Sequence, residues 1–524
     1  MKALAKKRIL IFKALTVLLI STVFDGLAQK TLPEPDLIPY RKGDKWGFTD
    51  VNKKIVIPCV YEKVQLFDGE YAIVSSNRLE GLIDKKGNKI LDIKYDGIWV
   101  LKGGLIMVNL SRNYGLLDKQ GKEIIPVKYE KIEVFSDGFV KVKDYNWGLM
   151  DITGKEILPV KQYWLGTPSE GMVAIRKGIE EKRQYVYGFM DKQGKEIVPP
   201  KYEQVGNFSD GMAWIKLDEK YGFIDKTGRE VVTPKYKDAG DFENGLAIVV
   251  VAKDGAYKYG MIDKTGKEVI QTNYNQINKF KENLAAVNVN DKWGFIDKTG
   301  REIVKPKYDL VEDFKNGFAK VRLKYGWGLI DKTGKEIVET IYNEMSNVEG
   351  GVVRVKDVLG KWGLVDIKGK ILVEPKYDQM DSFSEGVAKV KLGMKWGLID
   401  ETGKEIAKIK YNKVSTFSDG MAFVSESTYS NWTGMVDKTG KEIPLNKGYG
   451  FSYDGVEVAF RNGTALCSHA GTAYLIDKTG KEILTFEVLN FPKQLDNGLL
   501  FLIPSRNNPN EYGYIDRKGV KYWE

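Results

Sequence analysis

Hydrophobic residues in this chain come in adjacent pairs and triplets, such as Phe295-Ile296 and Ile303-Val304, each set off by polar residues within a few positions. Such runs are too short for a helix and suit strands of about five residues. Adjacent residues of a strand point to opposite faces, so both faces of each sheet need cover. Between the apolar groups stand turn formers in a fixed order. An Asp is followed three residues later by Gly. That Asp is placed to accept backbone amides two residues on, and the Gly to take the left-handed conformation of a type I turn with a G1 bulge. A Pro often closes the second strand (Pro126, Pro159, Pro234, Pro306, Pro375), where a missing donor is tolerated at a strand end or edge. A Phe-x-x-Gly turn then leads into a third strand, for example Val387-Ala388-Lys389-Val390-Lys391. The pattern predicts a three-stranded meander, four-stranded if the Lys-Tyr segment pairs too.

The meander repeats. Its signature is Trp or Tyr, Gly, two apolar residues, Asp, two variable residues and Gly, as in Trp293-Gly294-Phe295-Ile296-Asp297-Lys298-Thr299-Gly300. The Asp falls at 50, 84, 118, 151, 191, 225, 263, 297, 331, 366, 400, 437, 477 and 516, which makes fourteen units spaced 33 to 40 residues apart; the first lacks the second Gly, and the thirteenth has Ala473-Tyr474 where Trp-Gly is expected. Trp-Gly itself stands at Trp46, Trp147, Trp293, Trp327, Trp362 and Trp396, and Tyr replaces Trp at Tyr114, Tyr187, Tyr221, Tyr259 and Tyr512. Lys-Tyr and Phe-Ser-Asp-Gly elements recur as well, such as Lys201-Tyr202 and Phe208-Ser209-Asp210-Gly211. These motifs resemble the WG-repeat family, also described as KWG repeats, over nearly the whole chain. The resemblance implies a repeat-built binding or surface protein with no shared catalytic residue to carry over.

The expected fold is all-β: a tandem array of about fourteen β-meander WG repeats of roughly 35 residues, stacked so that neighbours cover each other's faces. An open superhelix or solenoid is favoured because unit lengths vary and the end units are degenerate; two seven-bladed β-propellers are the alternative. The array spans 41–524, with a degenerate unit near 441–480, after an N-terminal linker at 29–40. The repeated Trp or Tyr is the expected packing anchor between units, against the alternative of a ligand-stacking row.

Length variation points to one loop. From the motif Asp to the Gly of the next turn is 20 residues in nine units, for example Asp297 to Gly317. The step from that Gly to the next Trp/Tyr-Gly glycine is usually 10 to 12, but lengthens to 17 (Gly171 to Gly188), 15 (Gly245 to Gly260), 14 (Gly420 to Gly434) and 15 (Gly498 to Gly513). Insertions confined to one loop of a stacked repeat fall on one rim, which is where repeat proteins vary or bind. The candidate binding-rim residues are Glu180, Arg183, Tyr185, Tyr257, Tyr429, Trp432, Arg506 and Asn507; tolerated surface insertions are the bland alternative.

Composition narrows the function. A hydrophobic fraction of 43% excludes disorder as the main state. Residues 1–28 read as a secretory signal peptide: Lys2, Lys6, Lys7 and Arg8 precede an apolar stretch from Ile9 to Phe24, and Gly26-Leu27-Ala28 places small residues before a cut at Gln29. Lys13 interrupts that stretch, leaving it short of the roughly 20 residues of a membrane span. The expectation is an exported protein, periplasmic, cell-surface or secreted, with no membrane span once the signal is removed. The formal net charge is +10, of which 1–28 holds five basic residues and one Asp. Both signs are interspersed thereafter, which argues against nucleic acid as a partner.

Reactive groups are sparse. The lone histidine, His469, excludes a His-rich metal cluster, and two cysteines, Cys59 and Cys467, exclude a zinc ribbon. Cys467-Ser468-His469 is the one place where a thiol and an imidazole are sequence neighbours, without an orienting group or oxyanion site in view. The Asp-x-x-Gly turns lack the spacing of a calcium loop. No catalytic, cofactor-binding or metal residue is expected. The function these readings favour is a non-catalytic binding or scaffold module for protein or envelope partners, with a cell-wall or extracellular glycan binder as the alternative.

Overall fold

The computed structural model describes residues 35–524 apart from 180–183, 428–430, 451–458, 488–492, 495–498, 503–511 and 517. The expected signal peptide and the first half of the 29–40 linker lie outside the described residues. The first strand, Ile38–Lys42, begins inside the stretch assigned to the linker. Every described element is a strand, and the strands form fourteen antiparallel sheets in tandem, eleven with four strands and three with three. They fall into two compact units, one built on Leu37–Phe383, Ala388–Ile409 and Glu524, the other on Ser384–Val387 and Lys410–Trp523.

The eighth sheet stands for the rest. A two-residue opening strand, Gln276–Ile277, pairs with a leading strand, Leu284–Val289, which pairs with the Trp-Gly strand Lys292–Asp297, which pairs with a closing strand, Glu302–Tyr308. The strand after Phe-x-x-Gly therefore joins the Trp-Gly strand that follows it and leaves the closing strand that precedes it. Each sheet straddles two sequence repeats, a correction to the meander expected within one. The reason lies in the turn. Asn290 and Asp291 both adopt positive φ, 48° and 61°, the mirror-image turn whose twist matches an antiparallel hairpin. The segment after Tyr308 instead carries the chain across to the next sheet.

The motif residues each have a mechanical reason. Asp297 Oδ1 accepts the amides of Thr299 and Arg301 at 2.9 and 3.1 Å, while Gly300 turns at φ 83°. The glycine of Trp-Gly has a different role. A Cβ on Gly294 would sit 2.3 Å from the Val304 carbonyl oxygen and 2.6 Å from Pro306 N, because the closing strand crosses directly over it. Trp293 pairs with Tyr308 but Phe295 with Val304, so the closing strand bulges between them, and Pro306 occupies the bulge, where no amide is needed.

Stacking covers both faces. Phe295 packs with Val304, Tyr308 and Phe314 against Val321 and Ile330 of the ninth sheet. Its neighbour Ile296 packs with Met261 and Ile270 of the seventh. The anchor differs from expectation: Trp293, Trp327 and Trp362 are half-buried at the margin of these clusters, whereas the tyrosines ending the closing strands, Tyr202, Tyr308, Tyr377, Tyr411 and Tyr449, are fully buried. A Trp ring lies instead under cationic stems, as Trp327 does with Lys320 Nζ and Arg322 Cζ 5.8 and 5.7 Å from its centroid. The Lys-Tyr pair also ties one sheet to the next. The Tyr202 hydroxyl donates to Glu230 Oε1 at 2.7 Å and Lys201 Nζ donates to the same oxygen at 2.9 Å. Burial first, and the Glu230 carboxylate next, push the Tyr202 phenol up to about 12.

Candidate interaction rim

Each leading strand pairs antiparallel with the Trp-Gly strand that follows it, and where the connection lies among the described residues it is a hairpin at the equivalent end of its sheet. Several tips are two residues in left-handed conformation, such as Asn77-Arg78, Ser111-Arg112, Asp218-Glu219 and Asn290-Asp291. A side chain just past the buried tyrosine caps many of these tips. Asp309 Oδ2 accepts the amide of Lys324 at 2.6 Å, and Oδ1 accepts Lys292 Nζ at 2.5 Å. Asp378 does the same with the amide of Gly393 and with Lys361. The Lys292 ammonium first, and the Lys324 amide next, hold the Asp309 carboxyl below the usual carboxylate range.

Large apolar side chains sit at several of these tips. Tyr145 is 81% exposed, Tyr325 93%, and Val358, Leu359 and Met394 81% each. The last four lie on three consecutive sheets, the ninth to the eleventh. Sequence reasoning missed all five because it followed loop length, and these loops have ordinary lengths. The signal was there in Asp144-Tyr145-Asn146, Lys324-Tyr325-Gly326 and Gly393-Met394, where a large apolar residue stands among turn formers.

The residues expected from loop length have different fates. Tyr185 and Tyr257 are on the rim, 53% and 57% exposed, on hairpins whose strands reach eight residues. Arg176 Cζ lies 3.9 Å from the Tyr185 ring centroid. Trp432 is a correction: it is 2% exposed, packed with Phe423, Met435, Tyr449 and Phe460. Thr433 stands between Trp432 and the motif glycine, Gly434, one residue more than in Trp293-Gly294, which shifts the indole along its strand and into the cluster. Glu180, Arg183, Tyr429, Arg506 and Asn507 lie outside the described residues.

At the Phe-x-x-Gly turns the acidic residues serve the stacking. Glu170 Oε2 accepts the amide of Gly211 in the next sheet at 2.8 Å and pairs with Lys226 at 3.0 Å. Glu282 repeats this with Gly317 and Lys332 at 2.9 and 2.8 Å. Ser169, Ser209 and Ser384 each donate Oγ to the Phe carbonyl of the following turn, at 2.6 to 2.7 Å. No group of three His, Cys, Asp or Glu residues placed to hold a metal occurs among the described residues. Cys467 and His469 do not pair: the thiol donates to the Tyr474 carbonyl at 3.6 Å, while His469 Nδ1 lies 2.5 Å from the Gly448 carbonyl. Burial pushes the Cys467 thiol far up, away from the thiolate a nucleophile needs. Both cysteines are free thiols. No helix among the described residues is long and apolar enough to cross a membrane.

Solved structures that overlap this chain do so loosely. The extracellular domain of a one-component system from B. thetaiotaomicron aligns at 11% identity over 95% of this chain and 83% of its own, with a TM-score of 0.22. PorZ, a bacterial surface component of the type-IX secretion system of Porphyromonas gingivalis, aligns at 11% identity over 90% of this chain and 85% of its own, also with a TM-score of 0.22. Likeness at this level carries nothing about what this chain does. No curated protein sequence matches it. The repeat itself does match: residues 46–78, 81–111, 114–146, 147–178, 187–221, 221–253, 259–293, 293–326, 327–362, 362–396 and 396–427 each fit the family described as WG containing repeat. Eleven consecutive copies, each running from one Trp-Gly strand to the next, place this chain in the WG-repeat family.

Proposed function

We propose that this chain is an exported, non-catalytic scaffold that binds protein partners of the cell envelope through its hairpin-tip rim. The observation that carries this reading is the recurrence of Tyr145, Tyr325, Val358, Leu359 and Met394 at the most exposed points of equivalent hairpins. Folding of such a hairpin does not require them, since the equivalent hairpins at Asn77-Arg78, Asp218-Glu219 and Asn290-Asp291 close with polar residues. Grouped apolar side chains left in water mark interaction surfaces, and aromatic residues at the centre of such a surface supply most of its binding energy. Val358, Leu359 and Met394 have no ring face and no hydrogen-bonding group for a sugar, so a protein is the better match at those tips. The non-catalytic part is supported by the carboxylates committed to turns and by the buried thiol. The export part is supported by the basic and apolar residues ahead of Gln29, and an envelope partner follows from export.

The test is affinity capture from envelope extracts with the mature chain, beside a triple variant, Tyr325→Ser, Leu359→Ser and Met394→Ser. A captured protein should lose at least tenfold in affinity for the variant, about 1.4 kcal/mol, while thermal unfolding stays unchanged. Equal affinity for both chains would remove the rim from the account.

A further inference from the structure

One hairpin departs from the others at two places that coincide. In the seventh sheet the leading and Trp-Gly strands, Leu246–Lys253 and Ala256–Asp263, are eight residues each, against six in the sheets on either side. It therefore overhangs the hairpin of the sixth sheet, Met212–Leu217 with Lys220–Asp225, and the step between them is an open cleft of about 370 Å³. The second departure is in sequence. The residue just past the tyrosine that ends the closing strand is acidic or an amide at Glu62, Asp96, Glu203, Asn275, Asp309 and Asp378, where it accepts the amide of the hairpin tip. In the seventh sheet that residue is Lys237, following Tyr236. The longer hairpin has carried its tip out of reach of the cap, and the capping side chain has been exchanged for a cation that lines the cleft.

The lining has one character per wall. Tyr257 and Tyr259 alternate onto one face of the overhanging strand, with Tyr259 opposite Val250 at the floor. Tyr221 faces them from the sixth sheet, where Lys216 pairs with Glu219 at 3.2 Å and so closes off its own charge. At the back stand Lys237 and Asp238. The Lys237 ammonium forms no ion pair among the described residues, and Asp238 Oδ1 accepts only its neighbouring amide of Ala239, at 2.9 Å, leaving Oδ2 available. Three phenol rings, one ammonium donor and one carboxylate acceptor, with no net charge, make an amphipathic site at the lower end of the volumes that hold small ligands. A charged ligand would leave either Lys237 or Asp238 opposed by its own sign. A polyhydroxylated ring satisfies both, because each hydroxyl donates and accepts, while its C–H face lies against an aromatic ring.

We propose that the cleft between the sixth and seventh hairpins binds a neutral saccharide of one or two pyranose rings, stacked on Tyr257 and hydrogen-bonded by Lys237 and Asp238. This site uses none of the tips on the ninth to eleventh sheets and does not rest on the protein-binding reading. It is tested by calorimetric titration of the full mature chain with cellobiose, maltose and N,N′-diacetylchitobiose, up to tens of millimolar, and with glucose against glucuronic acid. At least one of the three disaccharides should bind saturably. Its affinity should fall tenfold or more in Tyr257→Ala and in Lys237→Asp, which restores the residue type of the neighbouring sheets, and should be unchanged in Tyr325→Ser. Unaltered thermal unfolding of the two variants shows that they still fold. No saturable binding of any disaccharide, binding unaffected by Tyr257→Ala, or tighter binding of glucuronic acid than of glucose would each overturn the proposal.

Discussion

Trp293 and Tyr308 face each other across one strand pair, yet they do different work. Tyr308 is 1% exposed inside a cluster that draws on two sheets, whereas Trp293 lies half-buried at its margin. Truncating a fully buried aromatic costs about 3–5 kcal/mol. Tyr308→Ala should therefore lower stability by that amount in urea unfolding, and Trp293→Ala by about half as much. The turn aspartates give a second expectation. The Thr299 hydroxyl first, and the amides of Thr299 and Arg301 after it, hold the Asp297 carboxyl below its usual range against the opposing effect of burial. A depressed folded-state value means the carboxylate stabilises the fold fully above the ordinary Asp pKa of about 3.9, and that this contribution is lost as pH falls through the lower folded value. Asp297→Asn should unfold at lower urea than wild type at pH 7, and the gap should close as the solution is acidified below that range.

At the scale of strands and hairpins, the period of the chain and its phase are separate questions. The spacing of Asp-x-x-Gly fixes the period, and its turn chemistry is found as expected, with the Asp side chain on the amides two and four residues on and the Gly at positive φ. Phase depends on which of two successive connections forms the hairpin, and both are short enough in sequence. The answer sits in the tip residues, such as Asn290-Asp291, whose left-handed pair makes a two-residue turn. Tip chemistry also marks Tyr325 and Met394, whereas loop length points to Trp432, a core residue in a repeat with one extra residue before its motif glycine. Phase has a direct consequence. A fragment cut at sheet boundaries, 238–342, keeps three complete sheets. One cut at motif boundaries, 259–362, begins on a Trp-Gly strand stripped of its leading strand. The first should show a cooperative thermal transition by circular dichroism, and the second a broader one at lower temperature.

At the scale of the array, an internal sheet such as the eighth borrows its hydrophobic cover from the sheets before and after it. Phe295 is sealed by the ninth sheet, Ile296 by the seventh, and Glu170, Glu282 and Ser209 bridge to the next turn by hydrogen bonds. Stability in such an array is a sum of weak single-sheet terms and strong nearest-neighbour terms. The repeat pattern made the stacking legible, because paired apolar residues on short strands demand cover on both sides. It could not reveal the cleft at Tyr257, which needs two hairpins of unequal length side by side. The most direct measurement is the proton–nitrogen NMR spectrum of the eighth sheet alone, residues 276–308, beside that of three consecutive sheets, 238–342. If neighbours supply the fold, the single sheet gives the narrow amide dispersion of an unfolded chain and the triplet gives a dispersed spectrum. A well-dispersed, cooperatively melting single sheet would contradict the account.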